Sequence, residues 1–164
     1  MVTLCRQTPW TGTLPDEVKD IEKQRERFEK AANQSPGDAG EWILGAFDAD
    51  TGEIVGDCSW RCIDYKKFRH VASLGIGILD RYHGVGLGRL LMERAISAAR
   101  ADPCVLKIEL GVFAGNSIAR KLYDSLGFEI EGIRKNALQQ EDGVFMDDVV
   151  MGLWLGGDHH AKNA

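Results

Sequence analysis

The 164-residue chain has no long hydrophobic run, and this absence excludes a helical membrane span. Its longest largely apolar stretch, Val71 to Leu79, is less than half of the roughly 20 residues that a spanning helix requires. Residues 1–7 carry neither an apolar segment nor a small-residue cleavage site, so we expect no secretory signal. Acidic residues outnumber basic ones, and the net charge of −5 disfavours nucleic-acid binding through a global basic field. We therefore expect a cytoplasmic protein with no nucleic-acid or membrane partner.

Cysteine is scarce, and the four cysteines form no Cys-x-x-Cys pair. Cys58 and Cys62 fall on one predicted strand, where side chains four residues apart share a face without converging on an ion. His159 and His160 stand near the end of the chain, in a predicted polar tail. The pattern predicts reduced cysteines, most of which pack in the core, and no bound metal.

Glycine is the residue in excess, with 19 of 164 positions. The hydrophobic fraction of 44% and the charged fraction of 27% are ordinary for a globular protein, and they supply enough apolar surface for a core. The glycines cluster between Gly75 and Gly88. Because the excess is local, it indicates a specific role for that segment.

Periodicity and turn residues predict a single domain over residues 1–164, with a variable N-terminal part (1–40), a core (41–154) and a tail (155–164). A middle helix follows the glycine cluster and ends at Asp102-Pro103. A strand–helix–strand unit flanked by hairpins predicts an α/β fold, an α+β mixed sheet with helices on both faces. The other predicted elements are helices at Asp16–Ala32 and Asn116–Leu126, and strands at Val2–Gln7, Glu41–Phe47, Ile54–Ile63, His70–Leu79, Val105–Val112, Phe128–Leu138 and Val144–Trp154.

The glycine cluster spans a turn that leads from a strand into a helix, with Gly84, Gly86 and Gly88 at alternate positions. Residues without Cβ allow a ligand to approach the backbone, and the free N–H groups at a helix start bind anions such as a pyrophosphate. A P-loop would need Lys and Ser/Thr after the last glycine, where the chain has Arg89-Leu90. A dinucleotide fold would place its glycines after the first strand of the chain. A tight turn that only packs the helix on the sheet is the structural alternative.

Two blocks of the sequence resemble the GNAT N-acetyltransferases. The family pattern Arg/Gln-x-x-Gly-x-Gly/Ala matches at Gly86 and Gly88, with His83 in place of Arg or Gln. The segment from Asn116 to Phe128 resembles the family's Asn-x-x-Ala-x-x-Leu-Tyr-x-x-x-Gly-Phe block position for position. The two blocks stand in the family's order, and the resemblance covers roughly residues 41–154. The layout around Glu131-Gly132, Asp142-Gly143, Asp147 and Met151 is similar to the spermidine, ribosomal-protein and amino-acid N-acetyltransferase branches.

The resemblance implies a central, mostly antiparallel sheet with one parallel, splayed strand pair. It implies acetyl-CoA as co-substrate, no metal, and direct transfer of acetyl from the thioester to a primary amine. Tyr123 matches the general acid that protonates the departing thiol. The residues implied to bind the cofactor are Ile78, Leu79, His83, Gly84, Val85, Gly86, Leu87, Gly88, Arg89 and Asn116.

Each implied role has a structural alternative. We expect the N–H groups of Ile78 and Leu79 to stabilise the thioester oxygen, freed by a bulge at Gly75 and Gly77. Tyr123 lies beside an apolar helix face, so it is also a candidate packing residue. Asn116 also suits a helix N-cap. Arg120 and Lys121 are either phosphate contacts or solvated charges, and Glu109 is either a general base or a solvent-facing strand residue. His70 and His83 are further titratable candidates.

We therefore predict an N-acetyltransferase acting on a small-molecule amine such as an amino acid, a polyamine or an amine xenobiotic. The alternatives are a protein N-terminal acetyltransferase, a non-catalytic acyl-CoA-binding module and a nucleotide-binding protein with an unusual glycine turn. Specificity is expected from residues 1–40, the loop 64–69 and the hairpin 139–143. The last strand with Trp154 is a candidate for pairing across a homodimer.

Overall fold

The computed structural model describes residues 40–157, which form a six-stranded mixed sheet and two α-helices. The predicted elements in this range are confirmed with small shifts at their ends; the strand predicted from Val105, for example, begins at Lys107. The predicted strand Val2–Gln7 and helix Asp16–Ala32 lie outside the described residues. The elements are β1 (Glu41–Phe47), β2 (Ile54–Cys62), β3 (Val71–Ile78), a 3-10 turn (Asp80–Tyr82), α1 (Leu87–Ala101), β4 (Lys107–Phe113), α2 (Ser117–Ser125), β5 (Glu129–Gln139) and β6 (Phe145–Trp154).

The strand order is β1-β2-β3-β4-β6-β5, and every neighbouring pair is antiparallel except β3 with β4. This confirms the mostly antiparallel sheet with one parallel pair. Both crossover connections, β3-α1-β4 and β4-α2-β5, move in the same direction across the sheet. Right-handed crossovers that move the same way place their helices on the same face. Close packing between them agrees, since a Cβ at Gly88 of α1 would lie 3.3 Å from the Leu122 side chain of α2.

The hydrophobic core lies between this helix-covered face and the two helices. Alternate residues of the central strands point towards it, as the two-residue period of a strand requires. None of the helices in residues 40–157 is long and apolar enough to cross a membrane. The buried core side chains include Cys58, Trp60, Ala72, Leu74, Ile108, Leu110, Val112, Val149 and Met151 from the sheet, and Leu91, Met92, Ala95, Ile96, Ala99 and Tyr123 from the helices.

The opposite face of the sheet carries polar residues and glycines, among them Ser73, Glu109 and Gly111. Within residues 40–157 no helix covers this face, which we call the open face. The sequence predicts helices on both faces of the sheet, and both helices of the described residues lie on the other face.

Strands β3 and β4 separate before they end. Their parallel register runs only from Val71↔Lys107 to Ser73↔Glu109. Beyond that pair both strands continue, β3 to Ile78 and β4 to Phe113, without pairing to each other. The result is a wedge-shaped opening between the carboxyl ends of the two strands, which we call the splay. The location agrees with the general tendency of ligands to bind at strand carboxyl ends in open sheets.

Candidate functional site

Strand β3 supplies backbone N–H groups to the splay. In its antiparallel pairing with β2, Ile63 donates to the Val71 carbonyl (3.0 Å) and Leu79 donates to the Val55 carbonyl (2.9 Å). Hydrogen-bonded pairs alternate with non-bonded pairs along such a ladder. The N–H groups of Ile76 and Ile78 therefore point away from β2, into the splay.

This alternation corrects two expectations from the sequence. The Leu79 N–H is occupied by Val55, and the buried Leu79 side chain belongs to the interior, so the geometry does not support Leu79 as an oxyanion donor. No bulge is needed either, because β2 and β3 pair in unbroken register from Gly56↔Ile78 to Cys62↔Ala72. The N–H groups are freed by the departure of β4. Ile76, which the sequence analysis did not select, has the orientation that was expected of Leu79.

His83 connects the glycine turn to the end of β3. Its Nε2 lies 3.0 Å from the Ile78 carbonyl oxygen, which can only accept, so Nε2 donates and carries the proton in this contact. The His83 N–H donates to the Asp80 carbonyl at 3.0 Å, which closes the 3-10 turn itself. The imidazole thus holds the turn against the strand whose N–H groups line the splay.

The alternate glycines serve two different purposes. Gly84 and Gly86 have φ values of +76° and +87°, which L side chains rarely adopt, and no described atom lies within 4 Å of a Cβ at either position. Gly88 has ordinary backbone geometry, but a Cβ there would lie 3.3 Å from Leu122 and 3.4 Å from Ile78. Gly88 therefore permits helix packing, whereas Gly84 and Gly86 keep an open backbone surface in front of α1.

The N-terminus of α1 faces this open surface without a side-chain cap. Its N-cap residue is Gly86, so the N–H groups of the first turn have no acceptor from the cap. Uncapped N–H groups together with the helix dipole attract an anion. Val85 is 70% exposed, and Leu87 is half-buried. Arg89 is turned towards α2, where it donates to Ser125 Oγ at 2.7 Å, and it pairs with Glu93 at 3.6 Å.

The turn between β1 and β2 is hydrogen-bonded to the 3-10 turn that precedes the glycines. The Tyr82 hydroxyl donates to Asp48 Oδ2 at 2.6 Å, while the N–H groups of Asp50 and Thr51 donate to Asp48 Oδ1 at 3.0 and 2.9 Å. These hydrogen bonds, the Tyr82 bond above all, lower the pKa of the Asp48 carboxyl to about 2. The ionised carboxylate is thus the form that the fold favours.

This linkage predicts how an Asp48→Asn variant behaves with pH. Because the folded-state pKa lies below the unfolded value, the stabilisation is complete above the unfolded pKa and is lost as pH falls through the folded one. We expect the variant to melt below the wild type at pH 7, and the difference to narrow between pH 5 and pH 3. Circular dichroism melts at several pH values measure it. A difference that stays constant over this range would show that Asp48 acts through something other than its charge.

Tyr123 lies on α2, whose start is fixed by Asn116. The Asn116 side chain accepts from the Ala119 N–H at 3.1 Å, which is the predicted N-cap. The Tyr123 ring is buried, 6% exposed, with its centroid 5.9 Å from that of Phe128. Burial, with a smaller effect of the Cys58 thiol, raises the pKa of Tyr123 to about 12.

Tyr123 and Cys58 both belong to the buried core between the sheet and the helices. Cys58 is the register partner of Ile76, one of the two residues whose N–H groups enter the splay. Tyr123 therefore lies on the helix-covered face of the sheet. Burial also raises the pKa of the Cys58 thiol to about 12, so this cysteine stays protonated and packs as an apolar residue.

The remaining candidates from the sequence, Glu109, His70 and Arg120, lie at different distances from the splay. Glu109 is at the last β3–β4 pair, beside the splay on the open face, and accepts from Lys107 Nζ at 3.3 Å. His70 precedes the opposite end of β3, where its ring packs edge-on against Trp154 with centroids 6.4 Å apart. Arg120 donates to the Ala114 carbonyl at 3.5 Å.

Lys121 is exposed on α2, and within residues 40–157 no hydrogen bond or ion pair holds its side chain near the splay. Within residues 40–157, no three His, Cys, Asp or Glu side chains come together as a metal site would require.

The sequence analysis did not identify one ion pair, in which a buried carboxylate meets an exposed guanidinium. Asp148 on β6, 6% exposed, accepts from Nε of Arg134 on β5 at 2.9 Å, and also from its NH2 group. Both residues are register partners on the open face, next to Gly111 of β4. The only sequence signal was Gly111, a glycine in the middle of a strand.

Comparisons with known proteins agree with this geometry. The family model for the acetyltransferase (GNAT) family matches residues 6–128. The chain is 35% identical over 101 residues to the L-amino acid N-acetyltransferase AaaT of Escherichia coli, and the match covers 61% of each protein. It is 31% identical over 139 residues to the L-methionine sulfoximine/L-methionine sulfone acetyltransferase of Pseudomonas aeruginosa, covering 83% of this chain and 75% of that relative. The chain thus spans less than two thirds of the first of these relatives.

Solved structures share the fold. A GNAT-family acetyltransferase from Streptococcus pneumoniae matches with a TM-score of 0.81 at 31% identity, covering 93% of this chain and 90% of that one. A putative acetyltransferase from Salmonella typhimurium, solved with its cofactor acetyl-CoA, has a TM-score of 0.78 at 22% identity, covering 99% and 88%. With a family match over most of its length and a relative 31% identical over 83% of it, this chain belongs to the acetyltransferase (GNAT) family of acyltransferases.

Proposed function

We propose that this protein transfers acetyl from acetyl-CoA directly to the primary amine of a small molecule. The observation that supports this most is the splay, because the N–H groups of Ile76 and Ile78 point into it and the uncapped start of α1 follows the same end of β3. Acetyl-CoA supplies a thioester acyl group, a thiolate leaving group and a pyrophosphate. The proposal assigns one protein group to each of these three parts.

The chain's own residues divide the work in this proposal. The N–H groups at the start of α1 bind the pyrophosphate, and the open backbone at Gly84 and Gly86 allows it to approach. The N–H groups of Ile76 and Ile78 stabilise the negative charge that develops on the thioester oxygen. Tyr123 remains protonated at neutral pH because its pKa is raised, and it donates a proton to the departing sulfur.

The acceptor in this proposal is a small amine. The two relatives described above are named for acetylation of L-amino acids and of L-methionine sulfoximine or sulfone, and the second aligns over most of this chain. A protein N-terminus is the alternative acceptor, because it presents the same primary amine.

A thermal melt tests the cofactor part of this proposal. A ligand at 100 times its Kd stabilises the folded state by about 2.7 kcal/mol, and for a chain of this length each kcal/mol raises the melting temperature by roughly 2–4 °C. We expect a rise of about 5–10 °C with acetyl-CoA, and no comparable rise with ATP or NAD at the same concentration.

The outcomes of the melt separate the alternatives. No rise at millimolar acetyl-CoA would remove the proposal, and an equal rise with ATP would favour a general nucleotide site. With acetyl-CoA bound, CoA release is then followed with a thiol reagent over panels of amino acids, polyamines and N-terminal peptides. Binding without release on any panel would indicate a non-catalytic acyl-CoA-binding module.

A further inference from the structure

On the open face of the sheet, the strands beside the splay carry three glycines, Gly75, Gly77 and Gly111, which we call the glycine floor. If the β3–β4 register continued beyond Ser73↔Glu109, Gly75 would stand opposite Gly111, and these glycines with Gly77 point towards the open face. Among the described residues, nothing lies within 4 Å of a Cβ at Gly75, and only Asp57 Oδ1 approaches one at Gly77, at 3.5 Å. This glycine floor is the side of the splay opposite Tyr123.

The Asp148 carboxylate extends over this floor. Its two oxygens lie 2.9 and 3.0 Å from the position of a Cβ at Gly111, so any side chain there would displace it. Although the Asp148 side chain is only 8% exposed, Nε and NH2 of Arg134 both bind the same oxygen, Oδ2. No residue in the range 40–157 donates to Oδ1. Among these residues Oδ1 is therefore the oxygen of the carboxylate that is available to accept a hydrogen bond from a ligand on the open face.

Arg134 also has unused capacity. A guanidinium has five N–H donors, and the contacts with Asp148 Oδ2 occupy only the edge formed by Nε and NH2. The outer edge, which includes NH1, has no acceptor among the described residues, and the side chain is 65% exposed. That edge has the geometry to bind a carboxylate through two parallel hydrogen bonds. Asp148 and Arg134 together thus offer one site for an amino group and one for a carboxylate.

We propose that Asp148 and Arg134 bind the acceptor, and that the acceptor is an amino acid. The amino group donates to Asp148 Oδ1 above Gly111, at the edge of the splay, and the carboxylate of the same molecule binds the outer edge of Arg134. The acceptor reaches the splay from the open face, and Tyr123 acts from the helix-covered face. This inference rests on the proposed function, because it assigns the second substrate of that same reaction.

A matched pair of acceptors tests the role of Arg134. The probes are L-methionine sulfone and its primary amide, which differ only in the carboxylate. For Arg134→Gln we expect KM for the acid to rise about 10- to 100-fold, since a charge-assisted bidentate contact is lost, and KM for the amide to change less than about 3-fold. The control is Lys135→Gln, because Lys135 is on the same strand, 73% exposed, and pairs with Asp147 instead; it should leave both KM values within about 2-fold.

The ratio of acid to amide makes this test independent of folding, because any loss of folded enzyme affects both substrates equally. A ratio that Arg134→Gln leaves unchanged would refute the carboxylate site. For Asp148→Asn we expect kcat/KM to fall about 10-fold or more for both probes, and unchanged values would refute the amino-group site.

These results are distinguishable from failure of the proposed function. Wild-type protein that does not bind acetyl-CoA, or that acetylates no amine, contradicts the proposed function itself. Wild-type protein that binds acetyl-CoA and acetylates polyamines or peptides but neither probe overturns this inference alone.

Discussion

Replacing Tyr123 by Phe should lower kcat by about 100- to 1,000-fold, the range typical of a lost general acid, and leave the Kd for acetyl-CoA within about 3-fold. The substitution removes only the hydroxyl. The ring that packs against Phe128 remains, so the melting temperature should stay close to that of the wild type. Stopped-flow or steady-state CoA release gives kcat, and calorimetric titration gives Kd.

The pH profile adds an independent check on Tyr123. Because its pKa is raised to about 12, the phenol stays protonated across the measurable range, and no loss of kcat from its ionisation should occur below about pH 11.

The matched control for Tyr123→Phe is Tyr65→Phe, which removes the hydroxyl from a ring that is 74% exposed in the β2–β3 connection. A Tyr123→Phe enzyme with kcat within a few-fold of the wild type would assign the tyrosine to packing.

Gly86→Ala should weaken acetyl-CoA binding by about 10- to 100-fold, because the added methyl group enters the space in front of α1 and separates the N–H groups from the pyrophosphate. Losing one hydrogen bond to a charged group costs about 1.5–3 kcal/mol, which corresponds to this range of affinity. Titration calorimetry with acetyl-CoA and with CoA measures the effect. Both ligands should be affected equally, since both carry the pyrophosphate.

The variant also strains the backbone, and the chain provides a control for that. Gly143 has φ +82°, close to the +87° of Gly86, and likewise has no described atom near a Cβ, but it lies in the β5–β6 turn. Gly143→Ala should therefore show a similar loss of stability, about 1–2 kcal/mol, with unchanged affinity. Equal affinities in the two variants would place the pyrophosphate somewhere other than the start of α1.

Local sequence was sufficient to predict the turn and the two helices around the site. The glycines, the Asn116 cap and the alternation in each strand act within a few residues, so their effect can be read without knowing the strand order. The same reasoning could not separate Ile78 from Leu79. Which of two consecutive N–H groups points into the splay depends on the pairing of β3 with β2, and pairing alternates at every residue.

Contacts between strands that are distant in sequence could not be predicted either, because they also depend on strand pairing. Arg134 and Asp148 meet only because β5 and β6 pair in one register, and β5 shifts its register on both sides of Arg134. The reason for a glycine at position 111 is the Asp148 carboxylate on another strand, which occupies the space that a side chain would need. His83 was known only as a departure from the family pattern, and its bond to the Ile78 carbonyl required the actual path of the turn.

The short parallel pairing of β3 with β4 divides the sheet into two halves. Strands β1, β2 and β3, which are consecutive in the chain, form one half, and strands β4, β5 and β6 form the other. Only the pairs from Val71↔Lys107 to Ser73↔Glu109 join the halves through backbone hydrogen bonding. Because each half is held by continuous antiparallel ladders while so few backbone hydrogen bonds cross the seam, the seam depends on side-chain packing in the core to hold the two halves together.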